Sequence, residues 1–194
     1  MPIKFQQPPA DTIETLRKSA DATPRSFVEH ARMIRSVLAD PGGHRPHPIY
    51  IAGLRDLAAP DGLRRAEQAG WRYLTQSGGN CAIEVGDDPD GDGLQLTEID
   101  NGPFIDGLCR VLEDPELARN TSADDLSLSV LRVNGLGIFA VWLRADDSRN
   151  DLIIPLQPTP DYLKPGRTYS VEEFQDALKP QAKRNLKSGR TFDA

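Results

Sequence analysis

The sequence predicts an α+β fold: a mainly antiparallel sheet of about six strands, with N-terminal helices and a C-terminal helix. Three observations carry this expectation. Apolar residues recur at helical spacing before Gly70, two trios of strand-length runs flank one amphipathic helix, and a capping box at Ser170 opens the last helix.

Residues 1–10 hold Pro2, Pro8 and Pro9 with only Ile3 and Phe5 to pack, so they read as a flexible arm. Asp11 and Glu14 form a variant capping box, and Ile13 and Leu16 extend a short helix to about Ala20. Thr23-Pro24 starts a second helix, carried by Phe27, Ala31, Ile34 and Leu38 and ended by Asp40-Pro41-Gly42-Gly43. Gly43 to Pro48 reads as a loop. Leu54 and Leu57, then Leu63, Ala66 and Ala69, predict two short helical pieces broken at Pro60, with Gly70 closing the second.

Trp71 to Gln76, Cys81 to Gly86 and Leu94 to Ile99 predict a three-stranded meander, its second turn being the acidic tract Asp87 to Gly93. Phe104, Leu108, Val111 and Leu112 place a helix after it, ending at Asp114-Pro115. Leu126 to Val133 and Leu136 to Arg144 flank Asn134-Gly135, the strongest short signal for a hairpin, and Leu152 to Leu156 adds a further strand. A Pro-rich link, Pro155 to Pro165, leads to Ser170. Its capping box with Glu173 opens a helix carrying Val171, Phe174 and Leu178, which Pro180 is expected to kink or divide. The organisation is thus an arm, 1–10, and a single domain, 11–194, made of a helical part 11–70, a sheet core 71–156 and the link and helix 157–194.

The chain has 194 residues, with 23 Lys and Arg against 29 Asp and Glu, a net charge of −6. That balance argues against a general affinity for nucleic acid or anionic membrane, since both need a surplus of cations. The longest apolar run, Leu136 to Leu143, falls well short of the ~20 residues of a membrane helix. The N-terminus lacks the apolar core of a secretory signal, and Cys81 and Cys109 lack the close spacing of a zinc or redox pair. A soluble, cytoplasmic protein with two reduced, buried thiols is expected.

The acidic loop offers the first candidate site. Asp88, Asp90, Asp92 and Gly93 match the first half of a calcium-binding loop, and Glu98 is the nearest downstream carboxylate. The twelfth position is Ile99, however, and strands rather than helices flank the loop, so a solvated hairpin turn is the plainer reading. His44 and His47 with Asp40 are a second possible metal set, set against two ordinary loop histidines. Strand carboxylates are a third: Glu84, Glu98 and Asp100 could line one face of the meander for acid–base work, with Arg132 as counter-charge. The plainer reading is a cross-strand ion pair. There is no nucleophile elbow and no phosphate-cradling loop.

Apolar strands point toward binding. Leu136 to Leu143 is apolar on both faces and needs cover above and below, so Ile138, Phe139 and Trp142 are candidates to meet a protein partner or a second copy. Lys183, Lys187 and Arg190 would share a helical face able to dock on an acidic partner. The functional expectation is a non-enzymatic protein-binding module, such as an adaptor, chaperone or assembly component. The alternatives are a small carboxylate- or metal-dependent hydrolase using Glu84, Glu98 and Asp100, and a calcium-stabilised module; calcium is the one cofactor considered.

Overall fold

A computed structural model describes residues 3–75, 79–91, 93–114, 117 and 125–189. Among them lie the α-helices α1 (Ala10–Ala22), α2 (Val28–Ala39), α3 (Leu54–Ala58), α4 (Pro103–Leu112) and α5 (Val171–Lys187). The strands are β1 (His47–Ile51), β2 (Glu67–Thr75), β3 (Cys81–Asp87), β4 (Leu94–Asp100), β5 (Ser127–Val133), β6 (Ile138–Arg144), β7 (Leu152–Pro155) and β8 (Tyr169–Ser170). They form one sheet of 8 strands in the order β4-β3-β2-β1-β5-β6-β7-β8. All neighbours are antiparallel except β1 and β5, which pair in parallel through Ile49–Val130, Tyr50–Leu131 and Ile51–Arg132. The fold is α+β as expected, but the sheet is mixed and has eight strands rather than six.

Both faces of the sheet are covered by the chain's own helices. On one face, Leu16 and Ala20 of α1 and Ile34 and Val37 of α2 recur at helical spacing and pack on Trp71, Tyr73, Ile83 and Val85. Beside them on the same face, α3 and α5 pack Leu57, Phe174 and Leu178 against Leu131, Ile138, Trp142 and Ile153. On the opposite face α4 sets Ile105 and Leu108 over Leu128, Val130, Val141 and Ile154. The central strands therefore carry apolar residues toward both faces, interrupted by a few polar and charged positions.

The two additional strands lie where local signals are weakest. β1 occupies a stretch expected to be loop through Pro48; the proline precedes the residues that pair with β5, and Ile49-Tyr50-Ile51 are the β-branched and aromatic types that suit a strand. β8 is two residues long and is held by pairing with β7. The second helical piece is only a short 3-10 turn, Gly62–Arg65, so β2 begins at Glu67 and Gly70 closes no helix. Gly70 instead pairs with Gly86, and a Cβ on it would stand 2.3 Å from the Val85 carbonyl oxygen.

The expected hairpin is present with a longer turn. Asn134–Leu136 makes a 3-10 turn and Gly137, at φ 62, supplies the left-handed residue, so β6 starts at Ile138. The Ser170–Glu173 capping box forms in both directions, whereas α1 has no side-chain cap. α5 runs unbroken through Pro180 because Pro180 and Asp176, whose carbonyl loses its partner, are both exposed to water. In the arm, Lys4 forms a parallel bridge with Ser127: its N–H donates to Leu126 O at 2.8 Å and its carbonyl accepts from Leu128 N at 3.0 Å.

Candidate functional site

Three adjacent strands and β5 each carry one charged residue at the same height on the face that α4 only partly covers. Register sets Arg72 opposite Glu84 and Glu84 opposite Glu98. Arg72 Nε donates to Glu84 Oε1 at 2.7 Å, and Arg72 Nη2 donates to the same oxygen. Arg132 Nη2, reaching from β5, donates to that oxygen as well and to Glu98 Oε2 at 3.0 Å. The Arg132 guanidinium also lies 4.9 Å from the Phe139 ring centroid, and Phe139 stacks on Phe104 of α4 at 4.1 Å.

Burial rises steeply across this chain of charges. The Arg72 and Glu84 side chains are 0 % and 2 % exposed, while Glu98 at the sheet edge is 45 % exposed. Desolvation lowers the pKa of Arg72, and the neighbouring Glu84 carboxylate acts against it. Next to Arg72 across the strand pair stands His47, whose Nδ1 is 2.7 Å from the Arg45 carbonyl oxygen. Burial, with the Arg72 charge second, lowers the His47 pKa to about 3. Its ring is therefore neutral, with the proton on Nδ1 and Nε2 left as a buried acceptor without a partner. Arg72 Nη1 and Arg132 Nε are buried donors in the same condition.

Beside the network, the sheet surface opens into a trough of about 260 Å³ lined by Ile49, Ile51, Gly86, Asp87, Thr97 and Arg132 among others. Gly86, which lines the trough and pairs with Gly70 of β2, brings no side chain into it. The trough runs out to β4, the last strand of the sheet. Register slips between Glu84 and Val85, so Thr97 bulges from β4. The alternate residues Leu94, Leu96 and Ile99 lie half-buried toward α1 and Glu98 lies on the trough side. Among the described residues β3 is the one strand that pairs with β4, and Thr15 Oγ1 of α1 reaches the Leu94 carbonyl oxygen at 3.5 Å, so the outer edge of β4 beyond Leu94 has no strand partner there.

The candidates named from sequence are distributed differently. Ile138 and Trp142 are 1 % and 4 % exposed under α5 and α3, with Trp142 Nε1 donating to Asp151 Oδ2 at 2.9 Å. Phe139 points the other way, against Phe104. These strands thus find their cover inside the chain. Lys183 and Lys187 are exposed on α5; Arg190 lies outside the described residues, as does Asp92.

Asp88 and Asp90 sit in the β3–β4 turn, where Asp88 Oδ1 accepts from Asp90 N at 3.0 Å, and Glu98 is engaged by Arg132. His44 bonds Leu74 O at 3.0 Å and Ser36 O at 2.9 Å while His47 bonds Arg45 O, so the two rings share no partner. Asp40 Oδ1 accepts from Gly43 N. Among the described residues no group of three or more His, Cys, Asp or Glu is placed to hold a metal ion.

Glu84, Glu98 and Arg132 do converge, as the ion-pair reading of the strands expects, while Asp100 Oδ1 accepts from Gly102 N instead. Both glutamates are taken by guanidinium groups. Sequence reasoning considered His47 only in a metal set with His44 and missed Arg72, for which the signal was present: a cation between Trp71 and Tyr73, the same pattern that marks Glu84 and Arg132. The chain matches no family model, no curated protein and no solved structure.

Proposed function

We propose that this chain is a non-enzymatic protein-binding module, of the adaptor, chaperone or assembly-component kind, and that β4 is its binding element. The observation that carries the reading is the free edge of β4. A strand of seven residues that, among the described residues, has no strand on its outer side is a template for an incoming strand beyond Leu94, because main-chain hydrogen bonds supply affinity without a deep pocket. The other end of the sheet offers much less, since β8 has two residues.

A photo-crosslinking residue in place of Gln95, on β4, tests this in cells, with the same probe in place of Lys183 as the comparison. A discrete adduct is expected from position 95, and its loss on Thr97→Pro is expected because proline removes a backbone donor. Equal adducts from both positions, or none from position 95, overturn the reading.

A further inference from the structure

Resting on the protein-binding reading, we infer what kind of segment β4 accepts: an extended stretch of a partner protein whose residues alternate apolar and basic. The apolar side follows from α1. Leu94, Leu96 and Ile99 of β4 and Ile13 of α1 are each only partly buried, which leaves an apolar shelf beside the edge on that face. A ninth strand would place every second side chain against this shelf.

The basic side follows from charge. β4 contains Glu98 and Asp100 and no Lys or Arg, and Asp87, Asp88 and Asp90 stand at the turn that leads into it. Glu98 spends one oxygen on Arg132 yet keeps almost half of its side chain in water. Lys or Arg on the incoming strand would meet Glu98 and Asp100 across the new pairing, the arrangement that favours cross-strand partners. The same charges act against a second copy of this chain, whose β4 would bring carboxylates toward carboxylates. Natural edges are commonly guarded by lysine. Here acids and the Thr97 bulge guard the edge instead, which repels acidic strands and admits basic ones.

The test uses three synthetic nine-residue peptides with valine at alternate positions and lysine, serine or glutamate between. Amide hydrogen exchange of Leu94–Asp100 in the full chain reports where each binds, and fluorescence anisotropy reports how tightly. The lysine peptide is expected to slow exchange along β4 and to bind at least about tenfold more tightly than the glutamate peptide. The double variant Glu98→Gln, Asp100→Asn is expected to lose most of that preference while still protecting β4. Equal binding of all three peptides at β4 overturns the basic partner and leaves the edge reading standing. Protection of β4 by none of them overturns the edge reading itself. A lysine preference that persists in the double variant, with protection away from β4, reduces the effect to general attraction to an acidic protein.

Discussion

Arg72 and Glu84 face each other across β2 and β3 with both side chains withdrawn from water, and Arg72 Nε donates to Glu84 Oε1 at 2.7 Å. A buried pair of this kind is costly to create and more costly to break, because removal of one partner strands the other charge. The same Glu84 oxygen also receives Arg132. Glu84→Gln is therefore expected to destabilise the fold by about 3–5 kcal/mol in urea unfolding. Replacement of Arg72 by Met together with Glu84 by Leu is expected to recover most of the loss. A double variant as unstable as the single one would show that the network holds the strands in register in a way that apolar packing cannot replace.

His47 makes stability depend on pH in a definite direction. Its pKa is about 3 in the folded chain against an ordinary 6.5, so the unfolded chain takes up a proton that the folded chain refuses. The stabilisation is complete above pH 6.5 and drains away on acidification toward pH 3, at up to about 1.4 kcal/mol per pH unit. His47→Gln, which keeps a donor and an acceptor without titrating there, is expected to flatten the unfolding free energy between pH 6.5 and 4.5. Parallel curves for the two proteins would contradict the burial argument.

Gly70 is required by backbone approach. An added Cβ would meet the Val85 carbonyl oxygen at 2.3 Å, a backbone atom that cannot swing aside. Gly70→Ala is expected to cost roughly 2 kcal/mol, measured as a fall in urea midpoint. At Gly93 nothing lies within 4 Å of the corresponding position, so Gly93→Ala is expected to change stability by less than about 0.5 kcal/mol.

Both thiols are buried, Cys81 at 3 % and Cys109 at 5 % exposure, and burial raises the pKa of each. Reaction needs the thiolate and access to it. Ellman's reagent at neutral pH is expected to find almost no reactive thiol in the native protein and 2 per chain in urea. Rapid labelling of either cysteine without denaturant would mean that α2 or α4 lifts from the sheet.

How far these features are legible in the sequence depends on whether their cause is local. The Ser170–Glu173 cap and the hairpin through Asn134 depend on residues a few positions apart, and both form, the hairpin with its second strand starting two residues later than expected. The strand through Pro48 depends on β5, which lies far along the chain, and no local pattern announces such a neighbour. Gly70 illustrates the same limit. Glycine after a helical-looking run reads as a stop, and only the approach of Val85 shows why a side chain is forbidden there.

The candidate site divides in the same way. Glu84 and Arg132 each interrupt an apolar strand, so a pairing between them can be foreseen. That Arg72 completes the set requires the β2–β3 register, which the residue pattern of neither strand fixes alone. The apolar runs around Ile138 and Trp142 announce a need for cover but not its source, and α3 and α5 provide it.

The place of β1 between β2 and β5 has a consequence for synthesis of the chain. The meander β2–β4 is made soon after β1 and can pair with it as it emerges. The opposite side of β1, Ile49-Tyr50-Ile51, must wait until Val130, Leu131 and Arg132 have been translated. Until then the nascent chain displays an apolar strand with an unsatisfied side, the state most prone to wrong pairing between neighbouring chains on a crowded polysome. The seam that unites the two parts of the sheet therefore cannot close before β5 has been made.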